Sequence, residues 1–194
     1  MPSVALKEVA SIQVGYPAKG KIREVVEGTH HLIQSKDFDS SHRLRIEKLI
    51  SFLPERKPEL YSVRYGDILF QARGTVHFAH CIEYDLKNTL AAGSFYILRI
   101  RNKSLVPQYL AWWMNQPRTQ AWFMSHAGGS GISFISKSTL SCLYVQVPPL
   151  PDQKKVVKIA ALVQHEKHLL DRLARARAQL ANTICLTAIQ QQEK

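Results

Sequence analysis

An α+β fold is predicted for this chain, with a mixed-sheet domain over residues 1–149 followed by one long coiled-coil helix over residues 150–194. Three observations carry that prediction. Short runs rich in β-branched and aromatic residues, parted by turns containing Gly and Asp, fill the middle of the sequence. Pro148, Pro149 and Pro151 then mark a boundary, because a ring-locked residue rejects both sheet pairing and helix interior. Beyond them apolar residues recur on a seven-residue repeat almost to Lys194.

Leu6, Val9 and Ala10 recur at helical spacing after Ser3, which can serve as a cap, so a short opening helix is expected. Residues 16–30 read as irregular. Basic side chains crowd this loop and the next: Lys19, Lys21 and Arg23, then His42, Arg43, Arg45, Lys48, Arg56 and Lys57. Between the two loops His31-Leu32-Ile33-Gln34 reads as a strand. Two further strands are expected at residues 61–65 and 68–72 around a Gly66-Asp67 turn, and Arg73-Gly74-Thr75 turns the chain into a return strand over residues 76–82. After a polar loop at residues 85–88, residues 95–100 form one more strand, and the resulting sheet is expected to be mixed and partly barrel-like.

Pro107 opens a helix in which Tyr109, Leu110, Trp113 and Met114 share a face, and residues 119–125 continue as a second helix or turn after Pro117. At this spacing Trp112, Trp113, Trp122 and Phe123 read as core in preference to base-stacking platforms. A loop containing Gly128, Gly129 and Gly131 leads into a strand over residues 132–135, and Leu143-Tyr144-Val145-Gln146-Val147 is a short strand before the prolines.

The final helix begins with Pro151 in its first turn and Asp152 facing the positive end of the helix dipole. Val156, Ile159, Val163, Leu170, Leu173, Leu180 and Ile184 fall on the heptad seam, which Glu166 and Arg177 interrupt. Some 40 residues of helix extend ~60 Å. That is too long to lie against a domain of this size without another helix beside it, and a second copy of the chain is the expected partner.

The chain has 194 residues, 45% of them hydrophobic, enough to bury a core. Its 26 Lys and Arg against 15 Asp and Glu give a formal charge of +11, which attracts polyanions and makes nucleic acid the first partner to consider. Charge alone does not separate a DNA reader from a soluble basic protein. Three cysteines, Cys81, Cys142 and Cys185, form no CxxC pair, so neither a disulfide framework nor a zinc site is indicated and a reducing cytoplasm fits. The N-terminus lacks the apolar core of a signal peptide, and no window reaches the ~18 apolar residues of a membrane span.

No Gly-Lys-Ser/Thr follows the glycine loop, which sets aside a nucleotide P-loop. Asp67 with Asp85-Leu86-Lys87 imitates the carboxylate and lysine spacing of a metal-dependent nuclease. Each of those residues also has an ordinary reading, Asp67 in a Gly-Asp turn and Asp85 in a polar loop, and these are preferred. His77 and His80 would point to opposite faces of a strand, so no metal site is expected. Pro148-Pro149 lacks the preceding Asn or Asp of an adenine methyltransferase motif.

Taken in order, Gly66-Asp67-Ile68-Leu69 with Gly74 beyond it, Phe95 to Arg99, Pro107-Gln108-Tyr109-Leu110-Ala111-Trp112-Trp113-Met114-Asn115, the Gly128 to Ser136 loop, and Val147-Pro148-Pro149-Leu150-Pro151-Asp152-Gln153 resemble the specificity subunit of Type I restriction-modification systems. The resemblance is to a half-size form with a single target recognition domain. It implies that residues 1–149 are that DNA-binding domain and residues 150–194 a conserved spacer helix for dimerisation and partner docking. It implies a non-catalytic subunit that recognises a bipartite site in double-stranded DNA as a homodimer. It further implies a partner modification subunit that methylates adenine and, in the complete complex, a restriction subunit. No cofactor is expected on this chain, and S-adenosylmethionine and Mg/ATP are expected on the partner subunits. The alternative is a regulatory decoy dimer that captures the modification subunit without productive DNA recognition. For DNA contact the candidates are Lys19, Lys21, Arg43, Arg45 and Arg73, because long donors on loops reach bases or phosphates. Gly129 and Ser130 join them for backbone contact, although the glycine loop is read first as a structural turn.

Overall fold

The computed structural model describes residues 3–18, 20, 22–129 and 131–190. The chain separates into two compact units, Met1–Lys154 and Lys155–Lys194. In the first, β1 (Ser3–Ala5) runs antiparallel to β9 (Tyr144–Gln146) and ties the start of the chain to its last strand, with Leu6 N donating to Leu143 O at 2.8 Å. After a single helical turn, α1 (Leu6–Val9), comes a four-stranded antiparallel sheet in the order β2-β8-β5-β6, formed by Ala10–Val14, Phe95–Ile100, Ile68–Gln71 and Ala79–Cys81. β5 lies inside this sheet with all four residues buried, which is why it reads as a continuous apolar run instead of an alternating one.

The third sheet has β3 (His30–Ile33) at its centre, antiparallel to β4 (Ile50–Phe52) and parallel to β7 (Thr89–Ala91). Alternate residues of these strands serve two cores. Leu32 and Leu90 pack with Tyr16, Ile50 and Phe52, whereas Ile33 and Ala91 pack with Phe38, Leu69, Phe78, Phe95 and Ile97. A side chain at Gly15 would collide with the Ala92 carbonyl, so only glycine lets β2 leave the sheet along that line.

Three helices follow, α2 (Pro107–Met114), α3 (Pro117–His126) and α4 (Lys137–Ser141), and Phe123 is fully buried while Trp112, Trp113 and Trp122 are half-buried. α5 (Leu150–Gln190) is a single helix of 41 residues. Its root is held by Gln153, which is fully buried, accepts from Val106 N at 2.8 Å and donates to Ser104 O and Pro148 O at 2.8 and 2.7 Å. In the second unit the seam residues Ile159, Val163, Leu170, Leu173, Leu180 and Ile184 are 48 to 62% exposed, and Val156 is half-buried. Among the described residues no helix is long and apolar enough to cross a membrane.

The mixed sheets and the long C-terminal helix agree with the expected fold class. Several local expectations do not hold. The opening helix is one turn only: Ser3 lies in β1, and Ala10 starts β2 because its neighbours pair with residues 96–100 of β8. Residues 61–65 form no strand; the segment follows a 3-10 turn, Pro58–Tyr61, and meets the sheet through an isolated Ser62–Leu90 bridge, with Val63 N donating to Thr89 O at 2.9 Å. Residues 132–135 likewise make only bridges, from Phe134 to Gly128 and Arg73.

Candidate nucleic-acid interface

Two loops of the first unit are fastened to one segment, residues 71–78, which leaves β5 and returns toward β6. The first is the basic loop at residues 35–45. Asp37 is buried there and its carboxylate accepts from Gln34 N at 2.7 Å. Burial raises its pKa, against the lowering effect of that bond and of Lys36 and Arg45. Asp39 closes the tip by accepting from Ser41 N and Arg43 N at 2.8 and 3.0 Å. His42, at φ 58°, stacks on Phe78 with ring centroids 4.3 Å apart. The turn is therefore set by its own hydrogen bonds and pinned to the core by one ring.

Of the two arginines expected to touch DNA from this loop, only Arg43 presents an exposed side chain. Arg45 is half-buried, and its guanidinium donates to the main-chain oxygens of Lys36, Asp37 and Phe38. Those bonds brace the loop that displays Arg43.

The second loop is the glycine loop. Gly128 and Phe134 exchange main-chain hydrogen bonds of 2.9 and 3.0 Å, and Gly129 sits at φ 105°, where a side chain would also meet Ile132 O. Gly74 N donates to Ser133 O at 3.0 Å, and Ile135 N to Ala72 O at 2.9 Å. The buried His77 ring spans the junction, with Nδ1 2.9 Å from Gln71 O and Nε2 2.7 Å from Ser133 Oγ. Arg73 is exposed, its guanidinium carbon 5.2 Å from the Phe134 ring centroid, so a cation–π contact holds it beside the glycine loop.

Gln71 joins both loops. It is 4% exposed, accepts from Ser35 Oγ at 2.9 Å and donates to Arg73 O. Gln71, His77 and Ser133 were not among the residues expected from sequence to shape this surface. The one available signal was a polar residue, Gln71, at the end of an otherwise apolar central strand.

Arg73 and Gly129 are thus brought to one hairpin-like junction, and Arg43 is carried on a loop pinned to the same segment through Phe78. Lys19, Lys21 and Ser130 lie outside the described residues. Among the described residues neither Arg43 nor Arg73 forms an ion pair. The arrangement offers exposed cations on braced loops to an anionic partner.

Of the groups considered for catalysis, Asp67 is otherwise engaged. Asp67 is 4% exposed and forms an ion pair with Arg99, whose Nε and Nη2 donate to its two carboxylate oxygens at 2.9 and 3.1 Å. Arg64 N donates to it as well, at 2.9 Å. Asp85 is exposed. Burial, with Glu83 and Asp67 adding to it, pushes the Cys81 thiol up to about 12, far from a nucleophile's range. Among the described residues no group of three or more His, Cys, Asp or Glu side chains is placed to hold a metal ion.

The family model of the Type I restriction modification DNA specificity domain matches residues 3–173, and the chain belongs to that family. Specificity domains of this kind recognise DNA and are not the catalytic part of their systems. The fold is shared with the S subunit of a Type I restriction-modification system from M. genitalium, at 12% identity and a TM-score of 0.59 over 84% of this chain and 39% of that one. It is shared equally with the HsdS subunit of Thermoanaerobacter tengcongensis, at 20% identity and a TM-score of 0.62 over 88% and 39%. A chain from a structure describing complex assembly and conformational transition of the type I R-M system matches at 20% identity and a TM-score of 0.64 over 93% and 43%. The chain spans about two fifths of the length of each. No curated protein matches it.

Proposed function

We propose that this chain supplies sequence recognition to an adenine-methylating modification subunit, reading one half of a bipartite DNA site and pairing with a second copy through its C-terminal helix. The observation that carries the DNA-reading part is the pair of loops built on residues 71–78, which hold Arg43 and Arg73 at the surface with no acidic partner among the described residues. Such donors can reach phosphates or the N7 and O6 of guanine. The exposed heptad seam supports the pairing, because a stripe of large apolar side chains along a helix is ordinarily covered in the working assembly.

In this reading the chain performs no chemistry. S-adenosylmethionine belongs to the modification subunit, Mg/ATP to a restriction subunit where one is present, and the two copies read a palindromic, split sequence. A helix of ~60 Å places the half-sites between one and two turns of ~34 Å apart. The basic face of Lys155, Lys158, Lys167, Arg172 and Arg175 is the proposed dock for the modification subunit.

The test is to express the chain with its modification subunit and map methylated adenines across a genome of defined sequence. Methylation confined to one split motif is expected, and Arg43→Ala or Arg73→Ala should relax the same position in each half-site, at a cost of ~1 to 3 kcal/mol per half-site, if the arginine reads a base. Methylation with the same distribution whether or not the chain is present would sink the proposal.

A further inference from the structure

We infer that two reciprocal Glu166–Arg177 ion pairs across the seam fix the register in which the C-terminal helix packs antiparallel on a second copy. This rests on the dimer reading above and specifies its geometry. On the heptad, Val156, Val163, Leu170, Arg177 and Ile184 hold one core position, and Ile159, Glu166, Leu173, Leu180 and Thr187 hold the other. Two opposite charges therefore stand in an otherwise largely apolar stripe. Their own helix cannot satisfy them. The residues three and four positions from Glu166 are Leu162, Val163, Leu169 and Leu170, and those around Arg177 are Leu173, Ala174, Leu180 and Ala181. Both side chains are exposed.

A parallel, in-register pair would set Glu166 against Glu166 and Arg177 against Arg177, like charges brought together as the seam loses water. A parallel stagger by whole heptads cannot correct this, since the two residues occupy different core positions. In an antiparallel pair each core position meets the other kind. Placing Glu166 opposite Arg177 puts the two-fold axis between Asp171 and Arg172, close to the midpoint of Leu150–Gln190. The rest of the seam then closes as Leu170 on Leu173, Val163 on Leu180, Ile159 on Ile184 and Val156 on Thr187.

Sliding this pair by one heptad in either direction would bury all four charges against Leu or Ile with no counter-ion. The flanking positions do not compete. They are Ala160, Lys167, Ala174 and Ala181 on one side and Lys155, Leu162, Leu169, Ala176 and Thr183 on the other, with two lysines and no acidic residue among them. Antiparallel packing also opposes the two helix dipoles, and it brings Lys155 and Lys158, near the positive end of their own helix, toward the negative end of the partner's.

The experiment combines light scattering with spin-label distances on the full chain. Cys81 is buried, so Cys142→Ser leaves Cys185 as the exposed site for a label. A second variant adds Cys185→Ser and Arg172→Cys. In the proposed register the labels at position 185 lie about 40 Å apart, from the rise per residue, and those at position 172 lie under ~20 Å apart across one helix pair. Glu166→Arg and Arg177→Glu should each weaken dimerisation roughly tenfold or more, and the double variant should recover it; far-UV circular dichroism checks that each variant keeps its helix. A wild-type chain that stays monomeric at every concentration removes the dimer reading and the register with it. A dimer with short distances at both positions keeps the dimer and overturns the register. A dimer with the expected distances but indifferent to single charge reversal overturns the ion pairs as its cause.

Discussion

His80 lies edge-on to Phe38, with ring centroids 5.3 Å apart, and its Nε2 has no hydrogen-bond partner. Burial is the main cause of a pKa lowered to about 4; Arg43 and the His42 side chain lower it further, while Asp39 and a bond to the His42 main chain oppose the shift. The folded protein therefore holds this ring neutral where the unfolded chain, near 6.5, takes up a proton. The resulting stability is complete above pH ~6.5 and is lost as the pH falls toward 4, by about 2 kcal/mol between pH 7 and 5. Asp37 acts in the opposite sense, because its raised pKa makes the fold gain on protonation. Urea denaturation of wild type and His80→Gln at pH 7 and pH 5 separates the two. The wild type should lose more stability over that interval than the variant, and equal losses would remove His80 as the cause. The same environment explains why neither His77 nor His80 was legible as a shaping residue. A histidine's role depends on which chain segments close around it, and Ser133, the partner of His77, is 56 residues away in sequence.

Gln153 shows how one element is joined to the fold. It occupies the first turn of α5, yet its amide bonds to the segment before α2 and to the proline hinge. Gln153→Ala would leave Val106 N, Ser104 O and Pro148 O without this partner, and a loss of about 3 kcal/mol is expected. Gln153→Glu should fare no better, since a carboxylate faces two carbonyl oxygens where the amide donated; chemical denaturation of the full chain measures both. A substitution that left stability unchanged would mean that water replaces the side chain. The elements that were readable from sequence are those whose signal is local: β8 and β5 by their β-branched and aromatic runs, α2 and α3 by a proline at the first turn, and α5 by prolines and heptads. Three-residue strands such as β4 and β7 carry no such signal, because their state is decided by pairing with β3. That Arg45 folds back on its own loop was hidden for a related reason. Composition shows a basic loop, but which arginine folds back on its own carbonyls is a matter of the turn's geometry.

For the whole molecule the charge of +11 and the proposed pairing make a joint prediction. DNA affinity should fall with salt as phosphate contacts release counterions, by a slope of about 0.9 in log affinity against log salt for each contact. A substitution in a two-fold dimer removes its contact twice. If Arg73 touches a phosphate, Arg73→Ala should therefore flatten the slope by about 1.8 when two copies bind one site and by about 0.9 when one copy does. Affinity for cognate and unrelated duplexes should then fall alike. If Arg73 reads a base, the slope should hold and discrimination between cognate and mismatched duplexes should shrink at a symmetric pair of positions, one in each half-site. Binding of the chain with its modification subunit, measured over a KCl series for Arg43→Ala and Arg73→Ala, distinguishes these cases in one set of titrations. A slope indifferent to both substitutions, together with unchanged discrimination, would place the DNA on another face of the recognition domain.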